Sequence, residues 1–494
     1  MFRIQSIKII NHPILKNLEL DFKHESRGFR PDDLFITVII GKNGVGKSRI
    51  LRVICDILNY IHIMQNVQRP DKLGYKFNIE YCINNVVYTC DNLNDGFSNS
   101  LHFTRNGQVV SNDEIEIPQR VIASTMTITD KFHAKSTPFY RYKGIRNEGA
   151  PNTSGTKILI RKTVNDIINC LSNKENYNAE LRELLKNLGF MEEMRISYNI
   201  RRRDLFLRPD MSSEMLRDIF TNWERYFPNR KSEPWSVKIF QRICNETYSN
   251  VDDIALFLRQ HADLRTNKSP LTYDVLDNNG VLIREGRILQ LLSSLDIITY
   301  PTIKIHKVDS QLYPFEDSSS GEMQLLCQFI GILSEIKQDS LIIIDEPENS
   351  CHPEWQMAYI DWLDRILHNY SSCHILIATH SPLILTNLKQ DNSSVMMLQK
   401  NLQQGGDVSI TRPSPYSWEI EEILTEVMGI SSTRTKEFDE LKAQFENAIS
   451  HDEYEVAHSA YEEITRLLNP NNILREVMKI QMVGMGYDSV DETK

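Results

Sequence analysis

Apolar and polar positions alternate from Ile4 to Ile10 and again from Ile14 to Phe22. That period of two is the mark of half-buried strands and predicts a hairpin at the edge of an antiparallel sheet. Leu34 to Ile40 is instead almost continuously apolar and β-branched, as a strand covered on both faces must be. It runs straight into Gly41-Lys42-Asn43-Gly44-Val45-Gly46-Lys47-Ser48, after which Ile50 to Ile61 takes helical spacing. Two further strand pairs follow, Phe77 to Ile83 with Val86 to Cys90 about Asn84-Asn85, and Leu101 to Arg105 with Val109-Val110 about Asn106-Gly107. They predict an antiparallel lobe.

From Lys131 to Tyr300 the pattern becomes helical, as in Val164 to Leu171 and Leu181 to Met191, without the sustained heptads of a coiled coil. Short apolar runs suited to a parallel sheet resume at Leu341 to Ile344 and Ile375 to Ala378. Beyond Pro413-Ser414-Pro415, Glu437 to Leu468 returns to helical spacing through Phe438, Leu441, Phe445, Ile449, Tyr461, Ile464 and Leu468. The expected fold class is therefore α/β, a mixed sheet with an antiparallel lobe, interrupted by a mainly helical insertion. Its expected divisions are a discontinuous head over 1–130 and 301–415, an inserted arm over 131–300 and a helical C-terminal module over 416–494.

Composition changes this picture little, since 41% hydrophobic and 25% charged residues are ordinary for a folded protein. The N-terminus carries no apolar leader and no run reaches the roughly 18 apolar residues of a membrane span, so a cytoplasmic protein is expected. The 8 cysteines form no C-x-x-C pair, which points to free thiols rather than a zinc or disulfide framework. The net charge of −10 is unevenly placed: Tyr416 to Thr465 holds thirteen Asp or Glu against three Lys or Arg. The rest is neutral overall, so the acidity does not argue against a nucleic-acid partner.

Four segments carry chemistry. Gly41 to Ser48 matches G-x-x-x-x-G-K-S between a buried strand and a helix, the setting in which backbone N–H groups of Asn43, Gly44, Val45 and Gly46 can curl around phosphates. Lys47 would add a point charge, and the Ser48 hydroxyl is suited to Mg²⁺. The run Leu341 to Ile344 ends at Asp345-Glu346, one carboxylate for the metal and one to orient or deprotonate water. Ser318-Ser319-Ser320-Gly321-Glu322 opens an apolar helix and serves either as its N-cap or as a second phosphate-binding terminus. His380, in Ala378-Thr379-His380-Ser381-Pro382, falls just after a strand's C-terminal end, where the ligand crevices of parallel sheets lie and a γ-phosphate could be sensed.

Taken together these segments resemble the ABC-type ATPases of the chromosome-maintenance and DNA-repair branch over about residues 1 to 130 and 300 to 400. The resemblance implies ATP and Mg²⁺ as ligands and a head that dimerises around ATP. Each nucleotide would lie between one subunit's phosphate loop and the other's Ser319 and Gly321. It implies Glu346 and His380 as catalytic residues, Ser48 and Asp345 at the metal. The sequence departs from that pattern at Ser320, where glycine is usual, and shows no clear glutamine loop near Thr125 to Asp130.

Within that branch the run Asp345 to Gln356, the segment Val121 to Phe132 leading into Tyr140-Arg141-Tyr142-Lys143-Gly144, and the helical ending are similar to the PtuA-type ATPases of Septu and retron-associated anti-phage systems. That similarity implies a partner HNH nuclease, for which the chain has no metal constellation of its own, and makes Glu348, His352 and Glu354 part of the loop after the ATPase carboxylates. Lys131, Lys135, Arg141, Lys143 and Arg146, interleaved with aromatics, and Arg201, Arg202 and Arg203 are candidates for contact with DNA, RNA or reverse-transcribed DNA. The first run reads equally as a solvated loop that packs a few aromatics, and the arginine run reads more readily as a solvated surface, as short basic runs usually do. The acidic C-terminal helices would suit a basic partner. Besides a nuclease-controlling switch, a stand-alone DNA-repair ATPase and a nucleotide-gated scaffold with negligible turnover stay open.

Overall fold

The predicted strands of the mixed sheet and of the antiparallel lobe join in a single sheet. A computed structural model describes the chain apart from residues 24–33, 43, 67–72, 94–100, 147–154, 229–231, 247–248, 308–310, 401–406, 413–414 and 488–494, so Asn43 of the glycine loop lies outside the described residues. What is described divides into two compact units, Met1–Ser417 and Trp418–Lys494.

In the first unit the sheet is built from β1 (Phe2–His12), β2 (Lys16–Asp21), β3 (Phe35–Gly41), β4 (Lys76–Ile83), β5 (Val86–Asp91), β6 (His102–Arg105), β7 (Gln108–Val109), β8 (Val121–Thr125) and β9 (Tyr140–Gly144). After a separate group, β10 (Phe190–Tyr198), β11 (Leu271–Asp274), β12 (Thr302–Lys307) and β13 (Tyr313–Pro314), the large sheet is completed by β14 (Leu341–Asp345), β15 (His374–Ala378), β16 (Ser393–Lys400) and β17 (Asp407–Arg412). The order is β7-β6-β5-β4-β1-β2-β17-β16-β3-β15-β14-β8-β9.

The opening hairpin forms as its alternation predicts, but not at an edge. β1 pairs antiparallel with both β2 and β4, and β2 continues parallel to β17, so the hairpin bridges the antiparallel lobe to the parallel core. Pairing between β2 and β17 closes over some 390 residues of chain, which no local pattern encodes.

The core strands β3, β15, β14 and β8 run parallel, and every residue from Phe35 to Ile40 and from Leu341 to Asp345 is buried. Alternate residues serve opposite faces. Leu341, Ile343, Leu376 and Ala378 pack in one cluster with Ile50, Ile54 and Leu58 of the helix Lys47–Asn66 that follows the glycine loop. Each such Leu or Ile contributes about 1.5–3 kcal/mol by leaving water.

Two expectations for the arm are corrected. Tyr140–Gly144, assigned to it by its basic residues, is an outer strand of the large sheet parallel to β8. The arm is mainly helical, but the helical pattern read through Leu181 to Met191 stops short: the helix Tyr177–Asn187 ends before Gly189, whose φ of +78° suits glycine, and the chain turns into β10 at Phe190. β10 pairs antiparallel with β11 and β12 in a second, four-stranded sheet.

The second unit contains the helices Lys436–Ser450, Tyr454–Leu467 and Ile473–Gly484, packed through Phe438, Phe445, Ala457, Tyr461, Ile464, Met478 and Met482. The helical reading of Glu437 to Leu468 is resolved there into two helices, with Thr435 capping the first through the Phe438 N–H.

Candidate active site

Strand register gathers the chemistry. Ala378 stands beside Ile39 and Asp345, and Asp345 beside Thr125, so β3, β15, β14 and β8 end in one row along the carboxyl edge of the sheet. Each chain then leaves that row carrying polar side chains, the arrangement in which parallel sheets bind ligands.

At the glycine loop Gly44 and Gly46 have φ of +79° and +98°, open to glycine and strained for other residues. A β-carbon on Gly46 would also come within 3.0 Å of Leu15 Cδ2, so the β1–β2 turn lies against the loop. The helix begins at Lys47, whose ammonium donates to the Gly41 carbonyl at 2.9 Å. It also stands 2.7 Å from Nε2 and 3.1 Å from Nδ1 of His380. Burial draws the Lys47 pKa down to about 8, against the pull of Glu346, Glu348 and Asp345. His380 is lowered too, by burial first and then by Lys47.

Ser48 Oγ donates to Asp345 Oδ1 at 3.0 Å. Burial pushes the Asp345 carboxyl up to about 7, with Glu346, Asp130 and Glu348 adding repulsion against the Ser48 hydrogen bond. A shielded carboxylate beside a hydroxyl, repelled by other carboxylates nearby, fits a hard cation that takes oxygen ligands. Glu346 follows at φ +51°, a costly backbone for a glutamate, held by its N–H donating to the Ala378 carbonyl at 2.8 Å. Asn349 Nδ2 donates to Glu346 Oε2 at 3.1 Å, and His380 Nε2 is 3.7 Å from Oε1.

Glu348 was read from the sequence only as part of the following loop. Its Oε1 accepts the His380 N–H at 2.6 Å and fixes the backbone beneath the imidazole. Burial raises its pKa. Gln356 joins the same scaffold, accepting from Ser381 Oγ at 2.5 Å and donating to the Cys351 carbonyl at 2.9 Å. The signal for both was present in the dense polar run Asp345 to Gln356, but spacing alone does not show which side chain turns inward.

Ser319 caps the helix Ser320–Glu335: its Oγ accepts the Glu322 N–H at 3.2 Å, and Glu322 Oε2 accepts the Ser319 N–H at 2.9 Å. Ser319 and Ser320 remain exposed at the helix N-terminus. Gly321 is buried, and a β-carbon there would lie 2.5 Å from the Ser350 carbonyl oxygen. An open groove beside them is lined by Lys307, Tyr313, Ser319, Glu322, His352 and Trp355, with no residue of the glycine loop among its lining.

Lys131, Lys135, Arg201 and Arg202 are exposed, whereas Arg141, Lys143, Arg146 and Arg203 are partly buried. Lys143 pairs with Asp166 at 2.7 Å and Glu335 at 3.1 Å, Arg141 with Glu335 at 3.2 Å, and Arg146 with Asp130 at 2.6 Å. Phe132, Phe139, Tyr140 and Tyr142 are buried and have no face to offer a base. Arg201 pairs with Asp296 at 3.2 Å, Arg202 donates to the Tyr226 carbonyl, and Arg203 donates to the carbonyls of Leu264 at 2.6 Å and Ser269 at 3.1 Å. Those three arginines are spent within the arm.

Residues 2–385 match the AAA ATPase domain family, which spans the glycine loop, the Asp345-Glu346 carboxylates and His380. The chain belongs to the AAA ATPase domain family. It is 28% identical over 217 residues to the Septu protein PtuA of Bacillus thuringiensis, covering 39% of this chain and 51% of that one. The chain thus spans about half the length of that relative. Over 419 residues it is 22% identical to the Vibrio cholerae serotype O1 biovar El Tor protein named "Retron Vc95 probable ATPase", covering 77% of this chain and 73% of that one. Among solved structures, the SMC head domain from Thermotoga maritima covers 83% of this chain and 99% of its own at 10% identity and a TM-score of 0.35. The Smc head of Pyrococcus furiosus, bound to the C-terminal domain of ScpA, gives 13% identity, 84% and 97% coverage and a TM-score of 0.34. Among the described residues of this ATPase-domain protein no helix is long and apolar enough to cross a membrane.

Proposed function

We propose that this protein hydrolyses ATP as a dimerising switch, and that its nucleotide state governs a partner HNH nuclease in anti-phage defence. The observation that carries the ATPase reading is the meeting of Lys47, Ser48, Asp345, Glu346 and His380 at one sheet edge, from three separate stretches of chain. The glycine-loop amides and Lys47 hold the phosphates. Ser48 and Asp345 would hold Mg²⁺, which when bound neutralises phosphate charge. Glu346 accepts a proton from the attacking water, with Asn349 fixing its carboxylate. His380 directs its imidazole at the transferred phosphoryl group, its backbone pinned by Glu348.

The exposed Ser319 and Ser320, beside a groove without glycine-loop residues, support a signature that completes a neighbour's site instead of its own. The similarity to PtuA and to the retron-associated protein supports a defence setting and, through it, a nuclease partner. A nucleic acid, including reverse-transcribed DNA, is a further proposed partner.

The test is mass measurement of the purified protein with and without ATP, together with mass spectrometry of what co-purifies from its native locus. ATP-dependent dimers with a stoichiometric HNH nuclease are expected. ATP turnover by a strict monomer that retains no nuclease would overturn the switch.

A further inference from the structure

We infer that an exposed strip formed by Lys131, His133 and Lys135, with Arg52 beside it, is a phosphate-backbone contact for a nucleic-acid strand. This rests on the proposed function only for nucleic acid being a partner, and it locates the contact where the sequence did not separate it from buried charges.

The basic run Lys131 to Arg146 divides sharply in the fold. Arg141, Lys143 and Arg146 are partly buried and ion-paired. Along the preceding loop Asp130 and Phe132 are buried, whereas Lys131, His133 and Lys135 are exposed, so every second residue presents a cationic or cation-forming group to water. Among the described residues Lys131 and Lys135 have no carboxylate partner.

The loop is held rigidly. Asp130 accepts from Arg146 and from Tyr142 OH at 2.8 Å, and its Oδ1 accepts the Phe132 N–H at 2.9 Å. Tyr140 OH donates to the His133 carbonyl at 2.9 Å. A fixed spacing of like charges lowers the ordering cost of meeting successive phosphates.

The strip continues onto the phosphate-loop helix, where Arg52 Nη2 lies 3.3 Å from His133 Nε2. Asp56 is the carboxylate there, 3.1 Å from His133 and 3.4 Å from Arg52. It orients both groups and leaves the two lysines uncompensated. Beneath the strip is a cavity of about 250 Å³ lined by Asp56, Asn59, His133, Lys135, Thr137 and Tyr140. A nucleic-acid backbone presents phosphates in a regular row to the two unpaired lysines, whereas the carboxylates of an acidic protein surface have no such repeat.

The experiment uses the full chain and a fluorescein-labelled single-stranded DNA of mixed sequence, read by anisotropy between about 50 and 200 mM salt. Lys131→Ala/Lys135→Ala should weaken binding about tenfold or more and flatten the log–log salt slope by about 0.7 for each lysine. Arg201→Ala/Arg208→Ala removes the same charge from residues paired with Asp296 and Asp210 and should leave affinity near wild type. Unchanged affinity in the lysine variant, equal loss in the arginine control, or capture of acidic peptide without DNA would overturn the site. ATP affinity on the same samples separates the two readings: normal ATP binding with unaltered DNA binding removes the strip alone. If the double variant loses ATP binding, Lys131→Ala and Lys135→Ala singly decide, each expected to lose DNA affinity with ATP binding kept.

Discussion

Lys47 Nζ and His380 Nε2, from opposite ends of the ATPase domain, stand 2.7 Å apart above the ends of neighbouring strands β3 and β15. Burial lowers the proton affinity of both, and the Lys47 charge lowers that of His380 further. An anion arriving between them relieves both penalties, so the pair is pre-set for a phosphate. Of the two, only Lys47 sits within the glycine loop, and the roles separate accordingly. His380→Ala should lower ATP turnover about 100-fold, the scale for losing one aimed donor, while ATP affinity changes only a few-fold. Comparing kcat with equilibrium binding of a fluorescent ATP analogue checks this. A variant equally weakened in binding would make His380 a ground-state ligand.

Glu346 is positioned by its backbone at φ +51° and by Asn349, and its charge acts on Lys47 and His380 through space, favouring their protonated forms against burial. Glu346→Gln should retain ATP and abolish turnover, giving ATP-bound dimers that persist on size exclusion. Phosphate release at the wild-type rate would remove Glu346 from the role of base. Lys47→Ala should fail at the earlier step and bind ATP weakly, measured by the same fluorescent analogue.

The parts of this site that reside in short chain segments were legible in the sequence. Glycines at Gly44 and Gly46, a buried strand before Lys47 and a carboxylate pair after Leu341 to Ile344 each declare their chemistry locally. What depended on distant chain was not. The hairpin β1–β2 could be recognised from its period, but its place between β4 and β17 is set by pairing across most of the ATPase unit. Tyr140–Gly144 shows a subtler failure. Alternating aromatic and basic residues read equally as a base-stacking surface or as a strand with one face inside. Its fate was decided by Glu335 and Asp166, which come to Arg141 and Lys143 from other segments. Glu348 likewise declared a carboxylate but not its bond to the His380 N–H.

Gly321 tests whether the signature is held by backbone shape. The Ser350 carbonyl lies 2.5 Å from where a β-carbon would be, and a carbonyl cannot move aside as a flexible side chain can. Gly321→Ala should shift the N-terminus of the helix Ser320–Glu335 against the loop after Glu346. Monomers should still bind ATP through Lys47 and Ser48, but ATP-dependent dimers and turnover should fall at least tenfold. Light scattering with ATP, beside a binding titration, reads both. Dimerisation at the wild-type level would exclude the signature from the interface.

The buried His374 gives a pH dependence away from the nucleotide site. Its Nδ1 accepts the Ile4 N–H at 3.2 Å, which puts the ring proton on Nε2, 3.1 Å from Thr37 Oγ1. Burial, with nearby Arg3 assisting, lowers its pKa well below the usual 6.5. Protonation in the folded protein would also replace the acceptor that Ile4 requires. The unfolded chain takes up this proton as pH falls through about 6.5, and the folded chain does not. Stability from His374 is therefore present above that pH and lost below it, by about 1.4 kcal/mol per pH unit for one proton. His374→Gln offers an amide oxygen to Ile4 and an amide N–H to Thr37 without titrating. Urea unfolding between about pH 6.5 and 5 should show a slope smaller by one proton in that variant, while His12, His62 and His380, also lowered, contribute equally to both proteins. Identical slopes would mean that His374 is protonated in the fold and that Ile4 finds another partner.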